Sequence, residues 1–233
     1  MKNLFSVEGK VVVVTGGSRG IGEMIAAGYL ANGAKVYITS RKAAVCDATA
    51  QRLAETWGGE CLSIPADMAT LEGIEGFVSE LSSKESHVDV LVNNAGVAWG
   101  APREEVPEVG WDKVVDTNVK GVFFLTQKLL PLLEQNAAHD APSHIINVGS
   151  IDGIKTPIFD NFSYGPSKAA VHHLTRVLAA HLIKRNIIVN GIAPGPFPTY
   201  MLSAGVGASG VDDVLRRGEE GDRRRAADDG ARP

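Results

Sequence analysis

The chain has 233 residues, 44% of them hydrophobic, and a formal charge of −4 with a pI near 5.9. That length suits one sizeable core, and the mildly acidic balance gives no electrostatic reason to bind nucleic acid. Two cysteines, Cys46 and Cys61, make neither a disulfide framework nor a metal-binding CxxC pair. The opening MKNLFSVEGK lacks the apolar run of a secretory signal, and nothing approaches the ~20 apolar residues of a membrane span. A soluble, cytoplasmic protein with reduced thiols is expected.

In chain order, short β-branched runs alternate with longer helical stretches. KVVVVT (10–15), AKVYITS (34–40), ECLSIPA (60–66), HVDVLVNN (87–94), SHIINVGS (143–150) and NIIVNGIAP (186–194) read as strands. Most are apolar without alternation, the mark of strands covered on both faces. Between them, 21–32, 43–57 and 70–84 carry alanine and leucine at helical spacing. This alternation implies right-handed crossovers and an α/β fold: a doubly wound, Rossmann-type parallel sheet with helices on both faces. Segments 111–133 and 168–183 are apolar around most of their circumference, so each needs burial on two sides. The second side is either this chain's own loops or another subunit of a homo-oligomer.

The stretch TGGSRGIG (15–22) joins the first strand to the first helix. Glycines there let the backbone approach a phosphate, and the helix N-terminus offers unpaired N–H groups and a positive dipole end. Gly16, Gly20 and Gly22 follow a G-x-x-x-G-x-G spacing, which in a strand–turn–helix context predicts a dinucleotide site that includes Ser18, Arg19 and Ile21. An acidic residue ending the second strand would bind the ribose 2′-hydroxyl of NAD. Here Ser40 stands in that place, followed by Arg41, and Arg19 lies in the glycine loop. Two guanidiniums favour a 2′-phosphate through charge-assisted hydrogen bonds, so NADP(H) is the expected cofactor.

Further on, YGPSK (164–168) sets Tyr164 and Lys168 four residues apart on one helix face. A free phenol, with a pKa of ~10, is a poor proton catalyst at neutral pH. A neighbouring ammonium is expected to bring that pKa down. Pro166 fits the first turn of the helix, where its missing N–H costs little.

TGGSRGIG, NNAG (93–96), TN (117–118), GS (149–150), YGPSK and PGPFPT (194–199) occur in that order. Together they resemble the short-chain dehydrogenase/reductase family over about residues 7–202. The resemblance implies an oxidoreductase in which Tyr164 protonates the substrate oxygen and Ser150 holds it. Lys168 would bind the nicotinamide ribose and depress the tyrosine pKa, and Asn118 would hold a water of the proton relay. It also implies adenine contacts at Asp67 and Met68, an adenosine-ribose segment at Asn94, Ala95 and Gly96, and carboxamide or phosphate contacts at Pro194, Gly195, Phe197 and Thr199. YGPSK, PGPFPT and NNAGVAWG most resemble the NADPH-dependent 3-oxoacyl reductase branch associated with lipid synthesis, a ketone-reducing activity. Trp99, Ile151, Phe159, Phe162 and Tyr200 are candidates for an acyl pocket or for ordinary packing. A sensor or scaffold of the same fold would usually lack the tyrosine or the lysine. The histidines, His172 and His173 included, show no metal-ligand spacing and read as structural or solvated.

The chain departs from the family's pattern after about residue 204, where the domain is expected to end. Residues 216–233 hold six of the twelve arginines, no lysine and no hydrophobic residue larger than alanine. Such a segment cannot offset its ordering entropy, so disorder is expected over 205–233. The family's lid helix and last strand are not recognisable there. A shifted reading frame or a truncated, low-activity product would leave such a tail, and resequencing the gene separates these from a native end.

Overall fold

Four consecutive valines form the middle of the molecule. In the computed structural model, which describes residues 5–156 and 160–197, strand β1 (Val11–Thr15) is buried along its whole length. Val11 and Val13 face one side of the sheet, with the side chains of α3 (Leu71–Lys84), α5 (Gly121–Glu134) and α6 (Tyr164–Leu182). Val12 and Val14 face the other, against α1 (Gly20–Ala31) and α2 (Ala43–Trp57). A strand with two buried faces has no polar side, which is why VVVV carries no alternation. Each such side chain contributes roughly 1.5–3 kcal/mol by leaving water.

The remaining strands are β2 (Lys35–Thr39), β3 (Cys61–Ser63), β4 (Val90–Asn93), β5 (Ser143–Val148) and β6 (Ile187–Ile192). All pair in parallel, in the order β3-β2-β1-β4-β5-β6. The winding direction reverses between β1 and β4, and the crevice beyond the C-terminal ends of those strands is where such sheets take ligands. Among the described residues β6 is an edge strand, and its last three residues, Asn190 to Ile192, are exposed.

The helix expected over 111–133 differs from what is found. It starts earlier, as α4 (Glu108–Val115), and passes through a π-helical turn, Asp116–Lys120, before continuing as α5. The compact unit holding all of these elements ends at Ala193. No helix among the described residues is long and apolar enough to cross a membrane. The expected disorder of 205–233 lies outside the described residues.

Candidate active site

The glycine loop is built by close approach. Gly16 and Gly20 have positive φ, 64° and 57°, which glycine adopts without strain. A Cβ on Gly22 would lie 2.4 Å from both Asn94 Nδ2 and the Gly16 carbonyl oxygen. Asn94 staples the loop: its Nδ2 donates to the Thr15 carbonyl at 2.8 Å. Thr15 Oγ1 accepts the Asn94 and Ala95 backbone N–H groups, both at 2.9 Å. The loop after β1 and the loop after β4 are therefore one rigid wall. Helix α1 opens at Arg19 in extended conformation with no side-chain cap, so its first-turn N–H groups stay available. Gly20, Ile21 and Gly22 form that turn, and Ser18 is buried beneath it, its carbonyl accepting from Thr49 Oγ1 at 3.2 Å. An uncapped, glycine-lined helix start fits a pyrophosphate.

At the end of β2, Ser40 is half-buried and Arg41 exposed; Arg19 is exposed at the loop. No carboxylate occupies position 40. Past β3, Asp67 Oδ1 accepts the Ala69 N–H at 3.0 Å. Met68 is buried in the core among α3 and α5 residues, so it has chiefly main chain to offer an adenine ring.

Asn118 sits in the π-helical turn with no exposed surface. The extra residue of such a turn re-aims a side chain, and Thr117 Oγ1, bonding back to the Lys113 carbonyl at 2.8 Å, takes part in the local rearrangement. Asn118 Nδ2 donates to the Val97 carbonyl and to Ser167 Oγ, both at 3.0 Å, while Oδ1 accepts the Val97 N–H at 2.9 Å. Ser167 in turn donates to the Tyr164 carbonyl at 2.7 Å. Asn118 therefore clamps the β4 loop to the start of α6, and one lone pair of Oδ1 remains for a water. The gap left by Gly96 adjoins that lone pair: a Cβ there would lie 3.4 Å from Lys168 Nζ and 3.5 Å from Asn118 Oδ1.

Ser150, Tyr164 and Lys168 converge above the end of β5. Ser150 Oγ accepts the Asp152 N–H at 3.1 Å and stands near enough to the Tyr164 hydroxyl to influence its proton affinity. Lys168 Nζ lies 5.7 Å from the Tyr164 ring centroid and donates to the Val148 carbonyl at 2.8 Å. Burial pushes the Lys168 pKa down to about 8. Burial also raises the Tyr164 pKa, with the Ser150 hydroxyl opposing and the Asp152 charge adding to the rise. The expected depression of the phenol by the ammonium is thus not met in this state. The lysine is itself stripped of water and directs its hydrogen bond at a strand carbonyl.

The other expected positions divide. Trp99 is half-buried against Gly110, with Lys113 Nζ 5.5 Å from its ring centroid, so packing is part of its role. Ile151 is half-buried and Phe162 is 40% exposed. Pro194, Gly195 and Phe197 follow the end of the compact unit. Phe159, Thr199 and Tyr200 lie outside the described residues. Sequence reasoning missed Thr15 and a buried ladder in which Asn93 Nδ2 donates to Asn147 Oδ1 at 2.9 Å and Asn147 Nδ2 to Thr175 Oγ1 at 3.0 Å. Polar residues at the ends of apolar strands were the available signal. Among the described residues no cluster of His, Cys, Asp and Glu could hold a metal ion.

Residues 10–206 match the family model of the short chain dehydrogenases. The rhamnolipids biosynthesis 3-oxoacyl-(acyl-carrier-protein) reductase of Pseudomonas aeruginosa is 47% identical over 201 residues, 86% of this chain and 78% of that protein. The structure of the Pseudomonas aeruginosa RhlG/NADP active-site complex superposes with a TM-score of 0.84 at 46% identity, covering 88% of this chain and 79% of that one. The 2-dehydro-3-deoxy-D-gluconate 5-dehydrogenase of Dickeya dadantii is 35% identical over 204 residues, 84% of this chain and 75% of that protein.

Proposed function

The chain belongs to the short-chain dehydrogenase family, and from that premise we propose that it reduces a ketone, with bound NADPH supplying the hydride and Tyr164 the proton. The observation that carries this reading is the meeting of Ser150, Tyr164 and Lys168 above β5. As the carbonyl carbon is reduced, negative charge builds on its oxygen, and hydroxyl donors aimed there lower the barrier. Ser150 turns its O–H to that oxygen while its lone pair stays fixed by the Asp152 N–H. Tyr164 then transfers its proton. Its raised pKa keeps the phenol protonated at neutral pH, the form that donation requires. The phenolate left behind would regain a proton from Lys168, and a water held at Asn118 Oδ1 would relay the replacement proton to the amine from bulk solvent.

The cofactor preference is supported by the exposed Arg19 and Arg41, by the lack of an acid at Ser40, and by the NADP held in the similar structure. Gly16, Gly20 and Gly22 would cradle the pyrophosphate. Asn94, Ala95, Gly96, Asp67 and the Met68 main chain would border the adenosine. The substrate reading, a 3-oxoacyl thioester, is supported by the activity named for the 47%-identical relative. A cytoplasmic role in lipid metabolism follows from that substrate class. Trp111, Phe123 and Val177, exposed apolar side chains on α4, α5 and α6, support self-association through those helices.

The test is an isotope transfer. With NADPH deuterated at the transferring position and a 3-oxoacyl thioester, deuterium is expected on the new carbinol carbon. Tight NADPH binding without turnover of any ketone in a broad panel would instead favour a sensor or scaffold.

A further inference from the structure

His172 and His173 belong to no motif used above, and they differ in what they touch. His173 is exposed, its Nδ1 3.4 Å from Arg176 Nη2. His172 follows Tyr164 and Lys168 at successive helical turns, so the three share one face of α6. Its ring is wedged against two glycines. A Cβ on Gly149 would lie 2.2 Å from His172 Cε1, and one on Gly153 would lie 2.8 Å from Cδ2.

Ser150, between those glycines, is where the ring makes its hydrogen bonds. Nε2 lies 2.9 Å from the Ser150 carbonyl oxygen and 3.4 Å from its backbone nitrogen. The shorter contact assigns the ring proton to Nε2, which donates to the carbonyl. Ser150 lies past the end of β5 at Val148, where the last bond to β6 is Gly149 N–H to the Ile192 carbonyl at 2.7 Å. Its own carbonyl also accepts the Gly153 N–H at 3.0 Å, a local turn bond to which the ring adds a hold from α6. Among the described residues, His172 is the one side chain bonded to the Ser150 main chain.

We propose that His172 is a positioning residue that fixes the Ser150 backbone, and through it the hydroxyl that meets Tyr164 and the substrate oxygen. The inference rests on the roles given above to Ser150 and Tyr164. Steric fit and hydrogen bonding both enter: the glycines admit the ring, and the ring holds the serine between them.

The experiment compares His172→Leu, His172→Gln, His173→Leu and Tyr164→Phe by steady-state kinetics and NADPH titration. Losing one positioning hydrogen bond at the reacting centre is expected to cost His172→Leu roughly tenfold in kcat, with NADPH affinity unchanged. Glutamine can still donate an N–H to the Ser150 carbonyl, so His172→Gln should recover most of that loss, and His173→Leu should match the parent. Should His172→Leu fail to fold, Gly149→Ala supplies the second arm. Alone it should displace the ring and lower kcat, and adding His172→Ala should cause no further fall. Parental kcat in His172→Leu, or additive losses in the Gly149→Ala/His172→Ala pair, would overturn the proposal while leaving the site reading intact. Parental kcat in Tyr164→Phe would overturn both.

Discussion

Lys168 Nζ donates to the Val148 carbonyl at 2.8 Å, two residues before Ser150. One helix face thus grips the strand end that presents the serine, and it does so with an amine whose pKa burial has brought down to about 8. In the proposed reaction, the amine that would resupply the proton also holds the strand end that presents the serine.

A proton-linked cofactor affinity follows from that pKa. With a pKa of about 8 the unliganded amine titrates near that pH, and hydrogen bonds to the nicotinamide ribose together with the cofactor's net negative charge would favour its charged form. Binding should therefore take up about half a proton at pH 8 and nearly none at pH 6, where Lys168 is already charged. Calorimetry in buffers of different ionisation enthalpy measures this, and Lys168→Met should remove the uptake.

Asp152 tunes the phenol. Its negative charge adds to the rise in the Tyr164 pKa that burial begins. Asp152→Asn takes that charge away while keeping the backbone N–H that fixes Ser150 Oγ. The Tyr164 pKa should fall, so the alkaline loss of ketone reduction begins at lower pH. Oxidation of the alcohol, which needs the phenolate, should gain at that same pH. Paired pH profiles of kcat/KM check both directions.

The proposed NADPH preference rests on charge at the mouth of the glycine loop. Arg41→Asp replaces a cation near a 2′-phosphate with an anion that repels it and can bind a free 2′-hydroxyl. The ratio of NADPH to NADH affinities should fall about tenfold or more. Raising the salt concentration should shrink the effect, since Arg41 is exposed.

Gly22→Ala tests the loop wall. The added methyl would meet Asn94 Nδ2 and the Gly16 carbonyl at 2.4 Å, neither of which can yield without opening the Thr15–Asn94 staple. A stability loss of roughly 1–3 kcal/mol is expected. It should come with at least a tenfold weaker NADPH titration, and thermal melts with and without cofactor separate the two.

Much of the architecture is legible because parallel strands covered on both faces must be apolar throughout. The runs at 10–15, 34–40 and 143–150 match β1, β2 and β5 to within one or two residues. The helix read at 43–57 is α2 to the residue, since its apolar spacing is local information. The π-helical turn at Asp116–Lys120 is not legible, because it answers a tertiary demand: Asn118 must reach Val97 and Ser167 at once. Thr15 and His172 are hidden for a related reason. Each bonds main chain brought near by the fold, Thr15 across 79 and 80 positions and His172 across 22. The direction of the Tyr164 shift depends first on how deeply Tyr164 itself is buried, which spacing along a helix does not report.

The central claim is that the Tyr164 hydroxyl delivers the proton, and the most direct measurement is turnover by Tyr164→Phe under saturating NADPH. The variant loses one oxygen and keeps the ring that packs beside Lys168. The account predicts unchanged NADPH affinity and a fall in kcat of roughly 100-fold or more. A kcat within a few-fold of the parent, at the same affinity, would contradict it.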